Sequence, residues 1–294
     1  MHHRGCRPIQ PMVWLGMGGI WFFLNGDRGI ASFNAVRAAG IDVEAIIVPA
    51  RKKDVLALQL TDAKVIGVEN VNDPNFVKFL ARQAPSIGVV AGYSTIFKTP
   101  LIDAFRDMVL NLHAGHLPYY RGGSPLNWQL INGERDVGIS IIRMTEGIDS
   151  GPVMNSLLIP IKEDDDIALL HAKANGLFGP LLVSILLNRP DGHPQDESKA
   201  RYWLQRSDAD SDIRWSSMTA RQVHNFVRGI CRPYPGARSG SLRIWKTSLD
   251  VPHICGNPGR VAFVQGHGPL VCCSDRAIKI IDYTGDMLRQ GQYC

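Results

Sequence analysis

The sequence predicts an α/β fold in which a mostly parallel sheet carries helices on both faces, followed by a smaller β domain. Two observations support this prediction. In the first 188 residues, short aliphatic runs alternate with segments of helical spacing, a pattern typical of βαβ units. Beyond residue 188, glycine and proline clusters separate several short β-like runs, which indicates a small barrel or sandwich.

Five runs in the first part of the chain are predicted to be strands. Each is almost continuously apolar, as expected of parallel strands that are buried on both faces. These strands are Met12–Leu15, Val43–Val48, Val65–Val68, Ser86–Ala91 and Met108–His113. Two later runs, Gly138–Met144 and Val153–Ile161, are predicted to be further strands.

Helices are predicted where apolar residues recur with a period near 3.6. The first covers Ile30–Ala39 and ends before Gly40. The second covers Pro74–Gln83, with Asp73 as its N-cap and a proline at its first position. A long amphipathic helix, Asp166–Leu187, begins among acidic residues, which the helix dipole favours at that end.

The composition changes again after Asn188. The segment Arg189–Gln195 is rich in proline, glycine and polar residues, as linkers are. The predicted organisation is a loose leader at 1–11, a first domain at 12–188, a linker at 189–212 and a C-terminal domain at 213–294. The elements predicted for the C-terminal domain are a helix at Thr219–Cys231 and strands at Leu242–Trp245, Val261–Val264, Leu270–Cys273 and Ala277–Ile281.

The overall composition is that of an ordinary soluble globular protein, with 45% hydrophobic and 20% charged residues among 294. No uninterrupted apolar run reaches the roughly 20 residues that span a membrane, and no export signal is recognised. We therefore expect a cytoplasmic protein. None of the six cysteines forms a C-x-x-C pair or has a histidine at metal-binding spacing. The sequence thus predicts neither a disulfide framework nor a metal site.

The positive charge is concentrated near the C-terminal end. Residues 1–195 contain 18 basic and 18 acidic side chains, whereas residues 196–294 contain 14 basic and 9 acidic ones. Most of these later basic residues are arginines, which suit bidentate contacts with phosphate. Two interpretations stay open: a surface for a nucleotide diphosphate or an RNA backbone, and an ordinary solvated face. The arginines are Arg201, Arg206, Arg214, Arg221, Arg228, Arg232, Arg238 and Arg243.

A glycine-rich segment, Gly16–Gly19, follows the first predicted strand. A dinucleotide-binding motif would need a third glycine where the chain has Trp21, and an acidic residue where Val48 leads into Pro49. We therefore interpret the segment as a tight turn between a strand and a helix.

Two polar residues end the fifth predicted strand. Asn111 and His113 are two residues apart, so a strand places both side chains on the same face. Parallel sheets bind ligands at the carboxyl ends of their strands, and a loop with glycine and proline follows directly. Together with Asp149 on a second glycine-bounded loop, the sequence contains the parts of a possible histidine–carboxylate pair.

At these positions the chain resembles the folate-dependent formyltransferases. That family has an N-x-H element, then a loop of the form S-L-L-P-x-Y-R-G, then an acid in a D-x-G loop. Asn111 and His113 match the first element, Leu117–Gly122 matches the loop, and Asp149–Gly151 matches the acid loop. One departure is Gly115-His116, which stands where the family usually has Ser-Leu.

The resemblance covers the chain from about residue 12 to about residue 283. In the C-terminal part it is carried by Trp215, His224–Arg228 and Pro233–Ala237. It implies a Rossmann-like catalytic domain with a mostly parallel sheet, followed by a smaller OB-like β domain.

The resemblance also implies that Asn111, His113 and Asp149 are catalytic. In formyl transfer an amine attacks the formyl carbon, and negative charge develops on the formyl oxygen. The amide of Asn111 or a protonated His113 can donate to that oxygen, and an imidazole titrates in the range needed for the accompanying proton transfers. Asp149 would orient His113 and stabilise its charged form, or relay protons through water.

The formyl donor that the resemblance implies is 10-formyltetrahydrofolate, and no metal is required. Its pterin is expected near the segment around residue 92 and the loop before Asp149, held largely by backbone groups. The residues expected to bind the donor are Gly92, Tyr93, Leu117, Pro118, Arg121, Gly147 and Ile148.

The formyl acceptor stays open between two branches of the family. Four stretches are similar to the branch that acts on UDP-4-amino-4-deoxyarabinose: Val71–Pro74, Pro125–Trp128, Asn132–Glu134 and Asp166–His171. They favour a nucleotide-linked amino sugar. The alternative is a methionyl-tRNA formyltransferase, which the basic C-terminal third favours. The tRNA branch usually has a longer basic loop where this chain has only Arg51-Lys52-Lys53.

Two further hypotheses concern the kind of activity. The chain could be a catalytically silent module that binds folate or a sugar nucleotide, although the intact catalytic residues argue against this. It could also be a related hydrolase that releases formate, since water can replace the amine.

Overall fold

The computed structural model describes residues 19–60 and 63–294. The predicted leader at 1–11, the predicted strand Met12–Leu15 and the glycines at 16 and 18 lie outside the described residues. Two compact units are present. The first unit contains the described residues up to Leu112, together with Arg143–Glu146 and Gly179–Arg189. The second unit contains His113–Ile142, Gly147–Phe178 and Pro190–Cys294.

Among the described residues, the strands and helices are numbered along the chain. The strands are β1 (Ile20–Leu24), β2 (Val43–Pro49), β3 (Val65–Val68), β4 (Ile87–Ala91), β5 (Met108–His113), β6 (Arg121–Gly122), β7 (Asp136–Arg143), β8 (Val153–Pro160), β9 (Tyr202–Trp203), β10 (Ala237–Ser239), β11 (Leu242–Ser248), β12 (Val261–Val264), β13 (Gly268–Cys272) and β14 (Ala277–Thr284). The helices are α1 (Asp27–Ala38), α2 (Lys53–Ala57), α3 (Pro74–Gln83), α4 (Thr99–Ile102), α5 (Pro125–Ile131), α6 (Ile167–Asn188) and α7 (Ala220–Ile230).

The large sheet has seven strands in the order β3-β2-β1-β4-β5-β7-β8. The pairs β2–β3, β1–β2, β1–β4 and β4–β5 are parallel, whereas β7 and β8 pair antiparallel. The predicted mostly parallel sheet is therefore confirmed. The predicted bounds of β3, β5 and α3 agree with the structure, and Asp73 caps α3 as predicted.

The central strand β1 lies between β2 and β4, and all five of its residues are buried. Its side chains alternate between the two faces of the sheet. Phe22 packs edge-on against Phe33 of α1, with ring centroids 5.8 Å apart. Phe23 packs against Phe97 at 4.9 Å, in a buried cluster to which α3 and α4 contribute leucines. Helices therefore cover both faces, as predicted.

The predicted strand-to-helix turn at Gly16–Gly19 is wrong, because β1 begins directly after Gly19. The turn lies instead at Asn25-Gly26, where Gly26 has φ +96°, a conformation that favours glycine. Gly29 then lets α1 approach β1 closely, since a Cβ there would lie 2.3 Å from the Cβ of Leu24. Helix α1 accordingly begins at Asp27, earlier than predicted.

Helix α6 is the one described helix that is long and apolar enough to cross a membrane, judged by length and composition alone. A stripe of its side chains at helical spacing is fully buried, including Leu170, Phe178 and Leu182. Gly179 permits close packing on α1, because a Cβ there would lie 2.5 Å from that of Ala35. We therefore interpret α6 as a core helix of the fold.

The C-terminal part forms a five-stranded antiparallel sheet in the order β10-β11-β14-β13-β12. Helix α7 shares a buried core with this sheet that includes Ile244 and Ile278. The predicted ends of the helix, Thr219 and Cys231, are its caps, and Thr219 forms a capping box with Gln222. The predicted smaller β domain is thus confirmed, whereas β10 and α5 were not predicted. The exact domain bounds stay a prediction.

Candidate active site

Strand β5 ends in the two polar residues that the sequence indicated. Asn111 pairs in register with Val90 of β4, and His113 is the last residue of β5. Strand geometry places both side chains on one face, at the end of the strand where parallel sheets bind ligands. His113 is 6% exposed. An amide and an imidazole are therefore presented together at this edge.

Both ring nitrogens of His113 face oxygen atoms. Nε2 lies 2.6 Å from the backbone carbonyl oxygen of Tyr120, and Nδ1 lies 3.4 Å from Oδ2 of Asp149. A carbonyl oxygen can only accept, so Nε2 carries a proton in this contact. A second proton on Nδ1 would satisfy the carboxylate. The geometry therefore suits an imidazolium that is stabilised by Asp149.

Asp149 occupies an unusual backbone conformation beside this ring. Its φ is +49°, in the left-handed region that non-glycine residues rarely adopt. The Gly122 N–H donates to its Oδ2 at 2.9 Å, and its side chain is 13% exposed. The structure thus brings the predicted Asp149 and His113 together. Their roles in catalysis stay predictions.

The loop after β5 turns around Tyr120. The Tyr120 ring stacks on Trp203, with ring centroids 5.4 Å apart. Its hydroxyl donates to Oε1 of Glu134 at 2.5 Å and accepts from Nδ2 of Asn132 at 3.2 Å. Burial raises the pKa of Tyr120 to about 12, and Glu134 adds to the shift. These contacts hold in place the carbonyl group that bonds to His113.

We expect the Tyr120→Phe variant to lose less stability at alkaline pH than the wild type. The pKa of Tyr120 is about 12 in the folded protein, against an ordinary value of 10.0 for tyrosine. Between these pH values the unfolded chain binds fewer protons than the folded protein, so stability falls as the pH rises. The phenylalanine cannot titrate and removes this contribution.

Urea unfolding midpoints across this pH range measure the effect. Tyr119→Phe, which removes a neighbouring hydroxyl, is the matched control and should keep the wild-type slope. An alkaline slope in Tyr120→Phe as steep as in the wild type would contradict the expectation.

Arg121 is fully buried, and its N–H donors all have acceptors within the protein. Nε and Nη2 donate to Oε1 of Gln195, at 3.1 and 2.9 Å. Nη1 and Nη2 donate to the Glu197 carboxylate at 2.8 and 2.5 Å, and Nη1 also donates to the Tyr202 hydroxyl at 2.8 Å. The Glu197 carboxylate raises the pKa of Arg121 further. A guanidinium has five such hydrogens, so these contacts give Arg121 a structural role, and its predicted contact with folate stays a prediction.

Two residues predicted to bind the donor lie after β4. Gly92 has φ +71°, which favours glycine. The Tyr93 ring packs edge-on against Phe23, with centroids 6.1 Å apart. Burial raises the pKa of Tyr93 to about 12, so its hydroxyl stays protonated at neutral pH.

The other predicted donor-binding residues lie on loops of the second unit. Leu117 is buried, and the Pro118 carbonyl accepts from the Arg201 N–H at 3.1 Å. Ile148 is 50% exposed on the loop before Asp149. On the same loop a side chain at Gly147 would clash with Ser150. The structure describes where these residues lie, and their binding role stays a prediction.

The contribution of the predicted linker was missed from the sequence. Tyr202 and Trp203 form β9, which pairs in parallel with β6 in the loop after β5. The Trp203 indole N–H donates to the Tyr119 carbonyl at 2.9 Å. Two adjacent aromatic residues in a linker of otherwise polar composition are the signal that could have indicated this packing.

Five cysteines lie among the described residues. No group of three or more His, Cys, Asp or Glu side chains there is placed to hold a metal ion. The described cysteines are free thiols. Burial raises the pKa of Cys231 to about 11 and that of Cys273 to about 12. Thiols that stay protonated at neutral pH are poor nucleophiles.

Comparison with known protein families gives the class of this protein. The chain matches the formyl transferase family over residues 20–185. It matches the formyl transferase C-terminal domain over residues 206–286. It therefore belongs to the formyl transferase family, as the resemblance in the sequence implied.

Several solved structures are similar to this chain at low sequence identity. One is the N-formyltransferase from Helicobacter canadensis in complex with folinic acid and dTDP-3-aminofucose, with a TM-score of 0.70, 17% identity, and 90% of this chain and 99% of that chain covered. A sugar N-formyltransferase from a Shewanella species has a TM-score of 0.62 and 20% identity, with 75% and 91% covered. A 4-N formyltransferase from Francisella tularensis has a TM-score of 0.61 and 18% identity, with 74% and 90% covered. At these identities the likeness establishes the fold.

Proposed function

We propose that this protein transfers the formyl group of 10-formyltetrahydrofolate to the primary amine of a nucleotide-linked amino sugar. The observation that carries the proposal is the contact of His113 with Asp149, in which Nδ1 lies 3.4 Å from Oδ2. His113 ends the strand that also contains Asn111. Membership of the formyl transferase family supports the reaction. The three similar structures are N-formyltransferases, and one is a complex with folinic acid and dTDP-3-aminofucose, which supports the choice of donor and acceptor.

The residues at the end of β5 can stabilise the negative charge that develops in the reaction. Negative charge on the formyl oxygen needs a donor that is already in position. The side-chain amide of Asn111 is a donor on this face, and the Nε2–H of His113 becomes a second one when it leaves the Tyr120 carbonyl. Asp149 stabilises the imidazolium, and the Tyr120 carbonyl holds the ring from the opposite nitrogen.

His113 and Asp149 can also carry out the proton transfers that the reaction requires. A carbon–nitrogen bond forms to the acceptor amine, and the bond to the donor nitrogen breaks. The amine must lose one proton, and the departing nitrogen must gain one. The protonated His113, held beside Asp149, can supply a proton to the departing nitrogen, and the neutral ring so formed can accept the proton that the amine loses.

The loop before Asp149 suits a flat, largely uncharged ring system. Residues 145–148 are exposed, and half of the Ile148 side chain is accessible. An apolar side chain combined with backbone groups is a typical lining for a ring-binding site. When bound there, 10-formyltetrahydrofolate would supply the reactive formyl carbon.

The charged C-terminal region supports a small acceptor over a tRNA. Its arginines largely pair within the protein, which weakens their attraction for a phosphate backbone. Arg228 donates to the backbone carbonyls of Lys162 and Asp165, at 2.9 and 3.2 Å. The arginines in ion pairs with carboxylates are Arg221, Arg232, Arg238 and Arg243.

An acceptor panel tests the proposal directly. We expect tetrahydrofolate release from 10-formyltetrahydrofolate with a nucleotide-linked amino sugar and none with methionyl-tRNA. Turnover with methionyl-tRNA, together with salt-sensitive retardation of initiator tRNA, would contradict the amino-sugar acceptor and identify a methionyl-tRNA formyltransferase.

Two other results would overturn formyl transfer itself. Formate release without any acceptor would identify a hydrolase. Binding of the folate with no release across the whole panel would favour the catalytically silent module.

A further inference from the structure

We propose that Gln195 is a positioning residue that holds Asp149 beside His113. Its expected effect on turnover rests on the proposed function, whereas its structural effect does not. The Gln195 side chain joins two loops. Oε1 accepts from Arg121, and Nε2 donates to the backbone carbonyls of Asp149 and Gly151 at 2.8 and 2.7 Å.

The Asp149 loop needs support of this kind. Asp149 has φ +49°, and a non-glycine residue in this sparsely populated conformation is strained. Such a residue persists only where its surroundings hold it there. The two bonds from Gln195 reach the carbonyl of Asp149 itself and that of Gly151, so they span the strained turn.

Arg121 determines which way the Gln195 amide points. Two guanidinium N–H groups converge on Oε1, at 3.1 and 2.9 Å. A flipped amide would turn its NH₂ group towards these donors and its oxygen towards two carbonyls. Only one orientation satisfies every partner. Glu197 in turn binds the Arg121 guanidinium, so the amide orientation is set by a buried arginine that is itself held by an ion pair.

The same short strand, β6, therefore holds Asp149 from two sides. The Gly122 N–H of β6 donates to the Asp149 carboxylate at 2.9 Å. The Arg121 side chain of β6 acts on the Asp149 backbone through Gln195. A shift of Gln195 would release the main chain of Asp149 while leaving the Gly122 bond possible, so we expect the carboxylate to lose its alignment with His113.

The test uses two substitutions that separate the contacts. Gln195→Met keeps the length of the side chain and removes both sets of bonds. Gln195→Glu keeps an acceptor for Arg121 but sets a carboxylate against the carbonyls of Asp149 and Gly151. We expect kcat to fall about 10- to 100-fold in both variants, with KM for donor and acceptor changing less than about threefold, because misplaced groups cost rate more than binding. Gln222→Met, which removes a glutamine from the α7 capping box, is the matched control and should keep the wild-type kcat.

A second readout does not depend on turnover. The ring ¹⁵N signals of His113 report the contact with Asp149, and we expect both Gln195 variants to move these signals towards those of Asp149→Asn. Wild-type signals and wild-type kcat in Gln195→Met would overturn the positioning role. If no acceptor supports turnover but the signals move as expected, the proposed function fails and the positioning role stands. A thermal melt identifies a folding defect in Gln195→Met. If there is one, Gln195→Glu, which keeps the contacts with Arg121, tests the positioning role by the same two readouts.

Discussion

His113→Ala is expected to lower kcat for formyl transfer by about 10³-fold or more. General acid–base catalysis contributes about 10²–10⁴-fold, and a single donor to a developing oxyanion about 10²–10³-fold. The substitution removes both contributions. It deletes the ring that faces Asp149 at 3.4 Å and the hydrogen bond to the Tyr120 carbonyl at 2.6 Å.

Initial rates with saturating donor and acceptor measure the effect, and circular dichroism verifies the fold. His267→Ala removes a histidine from the turn before β13 and is the matched control, for which we expect the wild-type rate. Turnover close to wild type in His113→Ala would exclude the His113–Asp149 pair as the proton-transfer group.

The pair of Asn111 and His113 could be predicted from the sequence because the information is local. An uninterrupted aliphatic run identifies β5, and its predicted bounds agree with the structure. The two-residue period of a strand then places both side chains on one face. The location of the site follows from the parallel sheet, because such sheets bind ligands at the carboxyl ends of their strands.

The position of Asp149 could not be predicted in this way. Its approach to His113 depends on a left-handed φ, on the Gly122 N–H and on the Gln195 amide. These are tertiary contacts between segments that are distant in the chain. From the sequence, Asp149 was therefore a catalytic candidate only by resemblance to a family.

The role of the segment after α6 could not be predicted from the sequence for a similar reason. Its polar composition is that of a linker, and no local pattern indicates that Gln195 and Glu197 bind a buried guanidinium. Arg121 was expected to bind the donor because of the resemblance to the family, whereas arginine is almost never fully buried unless it is paired. The structure shows its five donors satisfied by the protein.

The first described strand was missed because two signals competed. The aromatic run Ile20–Leu24 follows a glycine-rich segment, and the glycines were interpreted as the turn that ends a strand. The run forms a strand because it is buried between two parallel neighbours, β2 and β4, and pairs with both. An apolar run of five residues gives no periodicity from which this could be read.

Gly115, where the chain departs from the family's serine, lies against His113. A Cβ at this position would be 2.4 Å from Nε2 of His113 and 2.5 Å from the carbonyl oxygen of Tyr120. These are the two atoms that share the 2.6 Å hydrogen bond. Both separations are far shorter than van der Waals contact, so a side chain here must displace the ring or the loop.

Gly115→Ala is therefore expected to lower kcat about 10²-fold, because a displacement of about 1 Å in a catalytic group can cost that much. The matched control is Gly176→Ala in α6, where a Cβ meets no neighbour within 4 Å. We expect that control to keep the wild-type kcat and to gain up to about 1 kcal/mol in stability from its higher helix propensity. Steady-state rates and thermal melts of both variants measure these effects. If Gly115→Ala kept the wild-type kcat, the bond between His113 and Tyr120 could not be what orients the ring, and the orientation would have to come from Asp149 alone.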